Sequence, residues 1–125
     1  MTLSLFLVVG AGGLLGAPSR YLLDRAISRR IESDLPWGTC VINITGSFLL
    51  GLLTGLTLAD HLSPTGKALL GTGFCGAYTT FSTFTFETIR LLEDGRFLEA
   101  TGNVALSVAI GLATAAFGLA IGLAL

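Results

Sequence analysis

Charge is scarce in this sequence. Only 12% of its 125 residues are charged while 52% are hydrophobic, whereas charged residues make up about 25% of a typical soluble domain. A water-soluble domain of this length could not cover so much apolar surface. The formal net charge of −1 gives no indication of a nucleic-acid partner. The composition therefore predicts a single unit embedded in a lipid bilayer.

Residues that commonly carry catalysis are equally few. The single histidine, His61, falls in a short connection, and the two cysteines, Cys40 and Cys75, lie far apart in the sequence. No Ser-His-Asp, Cys-His or metal-ligand constellation can be assembled from them. We interpret the cysteines as small buried hydrophobes, and the sequence predicts no enzyme.

Long apolar runs predict four membrane crossings in one domain, residues 1–125. Each run is about as long as the roughly 20 residues that a helix needs to cross the hydrocarbon core. The runs are residues 3–23, 38–58, 68–92 and 100–125. Only short connections join them, so the sequence predicts an all-α membrane protein with both termini on one side.

Residues Gly71, Gly73 and Gly76 spell the pattern G-x-G-x-x-G, which resembles a dinucleotide-binding fingerprint. That fingerprint needs a preceding strand and an acidic residue about 20 positions later in a soluble sheet. Here the glycines fall inside a predicted membrane span. We interpret the match as accidental.

Helical spacing collects the polar residues of three spans into faces. On the second span these residues are Thr39, Asn43, Gly46, Ser47, Thr54 and Thr57; on the fourth they are Asn103, Ser107, Gly111, Thr114, Gly118 and Gly122. On the third, Phe81, Phe84 and Thr88 share a face. One interpretation is helix packing, supported by the G-x-x-x-G pairs Gly12/Gly16, Gly51/Gly55 and Gly118/Gly122. The other is an ion pathway. The faces are rich in hydrogen-bond donors and offer one carboxylate, Glu87, which suits a small anion rather than a cation.

Arg20 and the two phenylalanines fit an anion pathway but also have simpler interpretations. Arg20 ends the first span and could attract an anion, or snorkel to the interface. Phe81 and Phe84 could present their positive ring edges to an anion, or pack against lipid. Both alternatives stay open from the residues alone.

The third span is predicted to be broken near its middle. Its glycines and the pair Thr79 and Thr80 are weak helix formers. Non-helical backbone at membrane depth is tolerated where it is buried in protein or lines a cavity. A break between Gly76 and Thr79 would free carbonyl oxygens, which could hold a cation such as Na⁺.

Three stretches resemble a known family. "GFCGAYTTFSTF" (residues 73–84), "GTCVINITGSFLLG" (residues 38–51) and "GAPSRY" (residues 16–21) are similar to the Fluc, or CrcB, fluoride channels of bacteria. The resemblance covers nearly the whole chain, and the T-T-F-S-T-F core is highly specific. It implies a passive, fluoride-selective channel of the plasma (inner) membrane that exports fluoride and protects the cell from its toxicity.

The resemblance also implies an antiparallel, dual-topology homodimer with two pores and a central Na⁺ ion. The residues that it implies for the fluoride pore are Phe81, Phe84, Asn43, Ser82, Thr85, Thr39, Ser107 and Arg20. Backbone carbonyls of Gly76 and Thr79 from both subunits would hold the Na⁺. Two departures stand out: Ala77 follows Gly76 where many members have a second glycine, and Asn103 stands where some members place a tyrosine.

Charge is unevenly distributed between the two ends of the predicted bundle. One end carries six basic residues and the other only Lys67; the six are Arg20, Arg25, Arg29, Arg30, Arg90 and Arg96. The positive-inside rule favours one orientation for such a chain. Either acidic neighbours offset the bias, or the chain pairs with an oppositely oriented paralogue.

The alternative function is a small multidrug/proton antiporter, which also has four spans and dual topology. Such a transporter is expected to need a carboxylate in its first span, and residues 3–23 contain none. A purely structural membrane subunit is compatible with the polar faces but is not favoured by them.

Overall fold

The computed structural model describes residues 2–125, and every regular element among them is helical. The elements are α1 (Leu3–Arg30), α2 (Trp37–Leu58), α3 (Pro64–Lys67), a π-helix (Ala68–Cys75), α4 (Gly76–Tyr78), α5 (Ser82–Glu93) and α6 (Phe97–Ala124). Helices α1, α2 and α6 are long and apolar enough to cross a membrane. The prediction of an all-helical, multi-pass membrane protein is confirmed at this level.

The third segment is divided into short elements, so no single helix in it reaches spanning length. Helix α4 ends at Tyr78 and α5 begins at Ser82. Thr79 between them is extended, with φ −80° and ψ 161°. The interruption therefore comprises residues 79–81, just beyond Gly76.

Helix α1 is longer than the predicted first span. It continues to Arg30, so half of the connection to α2 is a further part of the same helix. The Thr2 hydroxyl caps its first turn by accepting the Leu5 N–H at 3.3 Å, which satisfies one of the unpaired donors of a helix start. The helix ends with two arginines in its last turn, where cations complement the helix dipole.

Two helix pairs are held by glycine contacts. A Cβ atom at Gly122 of α6 would lie 2.5 Å from the Leu52 carbonyl oxygen of α2, and one at Gly55 would lie 2.5 Å from the Leu119 carbonyl oxygen of α6. Gly73 of the π-helix approaches the Val9 carbonyl oxygen of α1 equally closely. These backbones touch because no side chain separates them. The G-x-x-x-G pairs therefore pack helix against helix, and of the three glycines in the apparent nucleotide fingerprint Gly73 makes such a contact.

Most of the apolar surface remains uncovered by the chain itself. Leu14 of α1 is 76% exposed and Leu98 of α6 is 83% exposed. The fully buried core is correspondingly thin, with Ile42 of α2 the largest side chain in it. Lipid or another subunit must cover surface of this kind, because exposed apolar area on this scale is incompatible with water.

Candidate functional site

Asn43 of α2 binds the interrupted backbone of the third segment. Its Nδ2 donates to the Thr80 carbonyl at 2.8 Å, and the Thr80 N–H donates to its Oδ1 at 2.9 Å. The Thr80 N–H and the Thr80 carbonyl, which lack helical partners at membrane depth, are thereby both satisfied. Asn43 keeps one amide N–H for another acceptor, because its NH₂ group has two donors.

A groove of about 320 Å³ opens beside this pair of hydrogen bonds. Its lining combines α2, the interruption, α5 and α6, with the residues Asn43, Gly46, Ser47, Leu50, Thr79, Thr80, Phe81, Phe84, Ser107 and Val108. Four residues predicted for the pore, Asn43, Phe81, Phe84 and Ser107, therefore meet here. The groove contains hydroxyls, an amide and aromatic rings but no carboxylate.

The two phenylalanines form a tilted pair along the groove. Their ring centroids are 6.1 Å apart, with 44° between the ring planes. Phe84 is half-buried, whereas Phe81 is 79% exposed. The groove is therefore open along the side where Phe81 projects from the chain.

The hydroxyls of the α5 start form a connected chain. Thr80 Oγ1 donates to Thr83 Oγ1 at 3.1 Å, lies 3.4 Å from Ser82 Oγ, and accepts the Thr83 N–H at 3.2 Å. Thr85 Oγ1 donates to the Phe81 carbonyl at 2.9 Å. Ser82 and Thr85, both predicted for the pore, lie on the exposed face of α5 rather than in the groove.

Thr39 is one helical turn from Asn43 and is buried away from the groove. Its hydroxyl donates to Glu87 Oε1 of α5 at 2.5 Å. Glu87 also borders two polar cavities, of about 350 and 340 Å³. These cavities lie at the end of the molecule that carries the charged connections, so Thr39 stands between the groove and that end.

Arg20 lies beside the interruption. Its guanidinium Nη1 donates to the Thr79 carbonyl at 3.4 Å, and the side chain is half-buried. Ser107, by contrast, lines the groove, with only a long 4.0 Å contact from its hydroxyl to Cys40 Sγ. The Ser107 hydroxyl is therefore only weakly engaged within the chain.

The backbone around Gly76 and Thr79 offers carbonyl oxygens. In a continuous helix the Thr80 N–H would bond the Gly76 carbonyl, but here it donates to Asn43. Gly76 is exposed, and nothing lies within 4 Å of where its Cβ would be. The freed Gly76 oxygen suits a cation ligand, and the Thr79 oxygen has a second lone pair beside its contact with Arg20.

Three contacts at the site escaped the sequence interpretation. Thr80 exchanges two hydrogen bonds with the Asn43 amide, which its position in the sequence does not indicate. Tyr78 OH bonds Thr45 Oγ1 at 2.9 Å. Asn103, 6% exposed, donates to Thr88 Oγ1 at 2.9 Å and thereby joins α6 to α5. Helical spacing within one span gives no signal for such contacts between spans.

Comparison with known proteins agrees with this site. The sequence profile of the family described as "CrcB-like protein, Camphor Resistance (CrcB)" matches residues 7–119. The chain belongs to the CrcB-like family. The match includes every residue of the groove.

Curated relatives are similar over most of their length. "Fluoride-specific ion channel FluC 1" of Streptomyces avermitilis is 50% identical over 114 residues, covering 91% of this chain and 92% of that protein. A protein of the same name from Nocardia farcinica is 54% identical over 110 residues, with 86% and 75% covered. "Fluoride-specific ion channel FluC" of Shewanella baltica is 45% identical over 106 residues, with 85% and 86% covered.

Proposed function

We propose that this CrcB-like protein is a passive, fluoride-selective ion channel and not an enzyme. The observation that carries the proposal is the groove in which Asn43, Phe81, Phe84 and Ser107 meet without any carboxylate. Cation pathways use acidic side chains, whereas donors and aromatic edges attract an anion. The names of the curated relatives specify fluoride as that anion.

In the proposed mechanism, fluoride exchanges part of its water shell for protein donors. The free N–H of Asn43 and the weakly engaged hydroxyl of Ser107 supply hydrogen bonds. The edges of Phe81 and Phe84 attract the ion without holding it tightly, which conduction requires. A larger ion such as chloride fits this narrow, donor-lined path less well.

Arg20 and Thr39 act at the approaches to this path. Arg20 contributes positive potential next to the interruption, although its guanidinium is shared with the Thr79 carbonyl. Thr39 fixes Glu87 by a hydrogen bond and thereby holds that carboxylate to α2. A carboxylate kept out of the groove does not repel the entering anion.

A second copy of the chain is proposed to complete the pore. Phe81 is 79% exposed, and Ser82 and Thr85 lie on the exposed face of α5. A partner packed on this face would enclose the groove and bring those hydroxyls into a lining. We propose the antiparallel, dual-topology homodimer, or a pair with an oppositely oriented paralogue, in the bacterial inner membrane.

Sodium is the proposed structural ion of that dimer. The carbonyls of Gly76 and Thr79 would hold it, and the bound ion would supply fixed positive charge at the dimer centre. Two carbonyls replace only part of a cation's water shell, so the partner's equivalents are needed. Among residues 2–125 no cluster of metal-ligating side chains offers an alternative site.

Ion efflux from proteoliposomes tests the function. Vesicles containing the purified chain are loaded with potassium fluoride or potassium chloride, efflux is started with valinomycin, and the released anion is read by an ion-selective electrode. Rapid fluoride release without chloride release is expected. Chloride release as fast as fluoride release would refute selectivity, and silence for both would require co-reconstitution with a paralogue before the function is abandoned.

The alternative function, a proton-coupled antiporter, lacks the carboxylate that proton coupling is expected to need. The first span contains no carboxylate between Leu3 and Leu23, and the groove contains none either. A fluoride efflux rate unaffected by an imposed pH gradient would exclude coupling.

A further inference from the structure

The last turns of α1 extend beyond the hydrocarbon core. The helix has 28 residues and is therefore about 42 Å long at 1.5 Å per residue, whereas the core is about 30 Å thick. Its residues before Arg20 carry no charge. The excess length must leave the core at the C-terminal end, which places Arg25, Arg29 and Arg30 among lipid headgroups.

These last turns have a basic outer face, which we call the arginine stripe: Tyr21, Arg25 and Arg29. Spacing by four residues aligns them on one side of the helix, and all three are exposed. Arg25 Nη1 donates to the Tyr21 hydroxyl at 2.9 Å. Asp24 lies outside the stripe, on another side of the helix, and borders the polar cavity next to Gly38.

The stripe has no carboxylate partner in the described chain. Within residues 2–125 the ion pair that forms is Arg96 with Asp34, in other connections. Arg25 and Arg29, four residues apart, repel each other. The C-terminal end of the helix dipole favours cations here. Two neighbouring arginine charges, however, still need an external anion to neutralise them.

The donors of the stripe match a phosphate diester. An arginine presents several N–H groups in a planar fork that suits phosphate oxygens. The Tyr21 hydroxyl accepts from Arg25 and keeps its own proton to donate. Leu22, next to the stripe, is 63% exposed and offers apolar surface to an acyl chain. We propose that the stripe binds the headgroup phosphate of an anionic phospholipid, and that each chain carries one such lipid site independently of ion conduction.

A tryptophan placed beside the stripe provides a local probe of bound lipid. Trp37, the one tryptophan of the chain, borders the cavity of Asp24 on another side of α1, so Trp37→Phe is combined with Leu22→Trp at the exposed position next to the stripe. This protein is reconstituted into vesicles that contain phosphatidylglycerol and phosphatidylcholine in varied ratios, with one of the two lipids brominated at a time. Quenching of the tryptophan fluorescence then gives the relative affinity of the two lipids near the stripe.

With the native stripe the protein is expected to prefer phosphatidylglycerol. The variant with Arg25→Gln and Arg29→Gln should lose roughly thirtyfold of that preference, because each basic residue near the membrane surface contributes about 1 kcal/mol of attraction to anionic lipid. The matched control Lys67→Gln, a charge removed at the other end, should keep the preference. The double substitution Arg25→Lys and Arg29→Lys should keep most of it, which separates lost charge from misfolding.

Three results would overturn the proposal. Equal quenching by both lipids with the native stripe would show that no anionic lipid is selected. An unchanged preference in the double glutamine variant would remove the stripe from the site. If millimolar inorganic phosphate abolished the extra quenching by phosphatidylglycerol and sodium chloride at equal ionic strength did not, that result would assign the stripe to free phosphate instead of lipid. Fluoride efflux does not enter the measurement, so a failed channel assay leaves it intact.

Discussion

Replacing Asn43 by leucine should destabilise the protein far more than the loss of two ordinary membrane hydrogen bonds. An interhelical hydrogen bond in a membrane contributes about 0.6 kcal/mol on average, so two would account for roughly 1.2 kcal/mol. Leucine, however, also leaves the Thr80 N–H and carbonyl unpaired and excludes water from them. Each of the two unpaired groups costs about 1–3 kcal/mol, so the expected loss of unfolding free energy is about 2–6 kcal/mol.

The change in unfolding free energy can be measured by titrating the micelle-solubilised protein with a denaturing detergent. Ser47→Ala is the matched control, because Ser47 lies one turn away in the same groove and its hydroxyl bonds only the Asn43 carbonyl of its own helix. The unfolding free energy of that control should fall by no more than about 1 kcal/mol. If Asn43→Leu and Ser47→Ala were equally stable, the interruption would not depend on the amide, and the proposed role of Asn43 would fail.

Three further outcomes follow from other parts of the molecule. Phe84→Ile should abolish or greatly reduce fluoride efflux while the protein remains folded, whereas Phe117→Ile, outside the groove, should not. Equal efflux in the two variants would contradict the aromatic pathway. Thr39→Val should lower the unfolding free energy by about 1 kcal/mol through loss of a hydrogen bond, and Thr39→Ser should restore it; a stable Thr39→Val would refute that bond. Gly118→Val drives a side chain into the α2 backbone and should lower the unfolding free energy by about 3 kcal/mol or more. Gly10→Ala, in open space, should be neutral or stabilising, so comparable thermal midpoints of the two variants would argue against the glycine contact.

The fold was largely predictable because a bilayer imposes simple rules on sequence. Residues 38–58 were predicted as a span, and α2 runs from Trp37 to Leu58. The first predicted span, residues 3–23, ends where charge begins, whereas helix α1 runs on to Arg30. The helix continues to Arg30 because the backbone bonds of a helix are as favourable in the headgroup layer as in the core, and its exposed arginines are solvated there.

Sequence reasoning indicated four residues of the groove but not the contacts that arrange them. Asn43, Phe81, Phe84 and Ser107 meet in the groove, but counting 100° per residue assumes an unbroken α-helix. In the third segment that assumption fails twice, at the π-helix, where bonds run from residue i to i+5, and at the interruption. The angle around the helix axis between the glycines and the phenylalanines is therefore set by tertiary contacts, above all those of Asn43 with Thr80.

Weak propensity and tertiary contact act together at this interruption. Glycines and threonines make a continuous helix less favourable, but low propensity alone gives a frayed segment and not one defined conformation. The Asn43 amide satisfies both the N–H and the carbonyl of Thr80. It selects that conformation because any other would leave these polar groups unpaired at membrane depth. The same selection frees the Gly76 carbonyl and points Phe81 out of the chain. A second subunit at that face would therefore meet an exposed ring and free carbonyl oxygens together, so pore completion and ion binding would depend on one event of assembly.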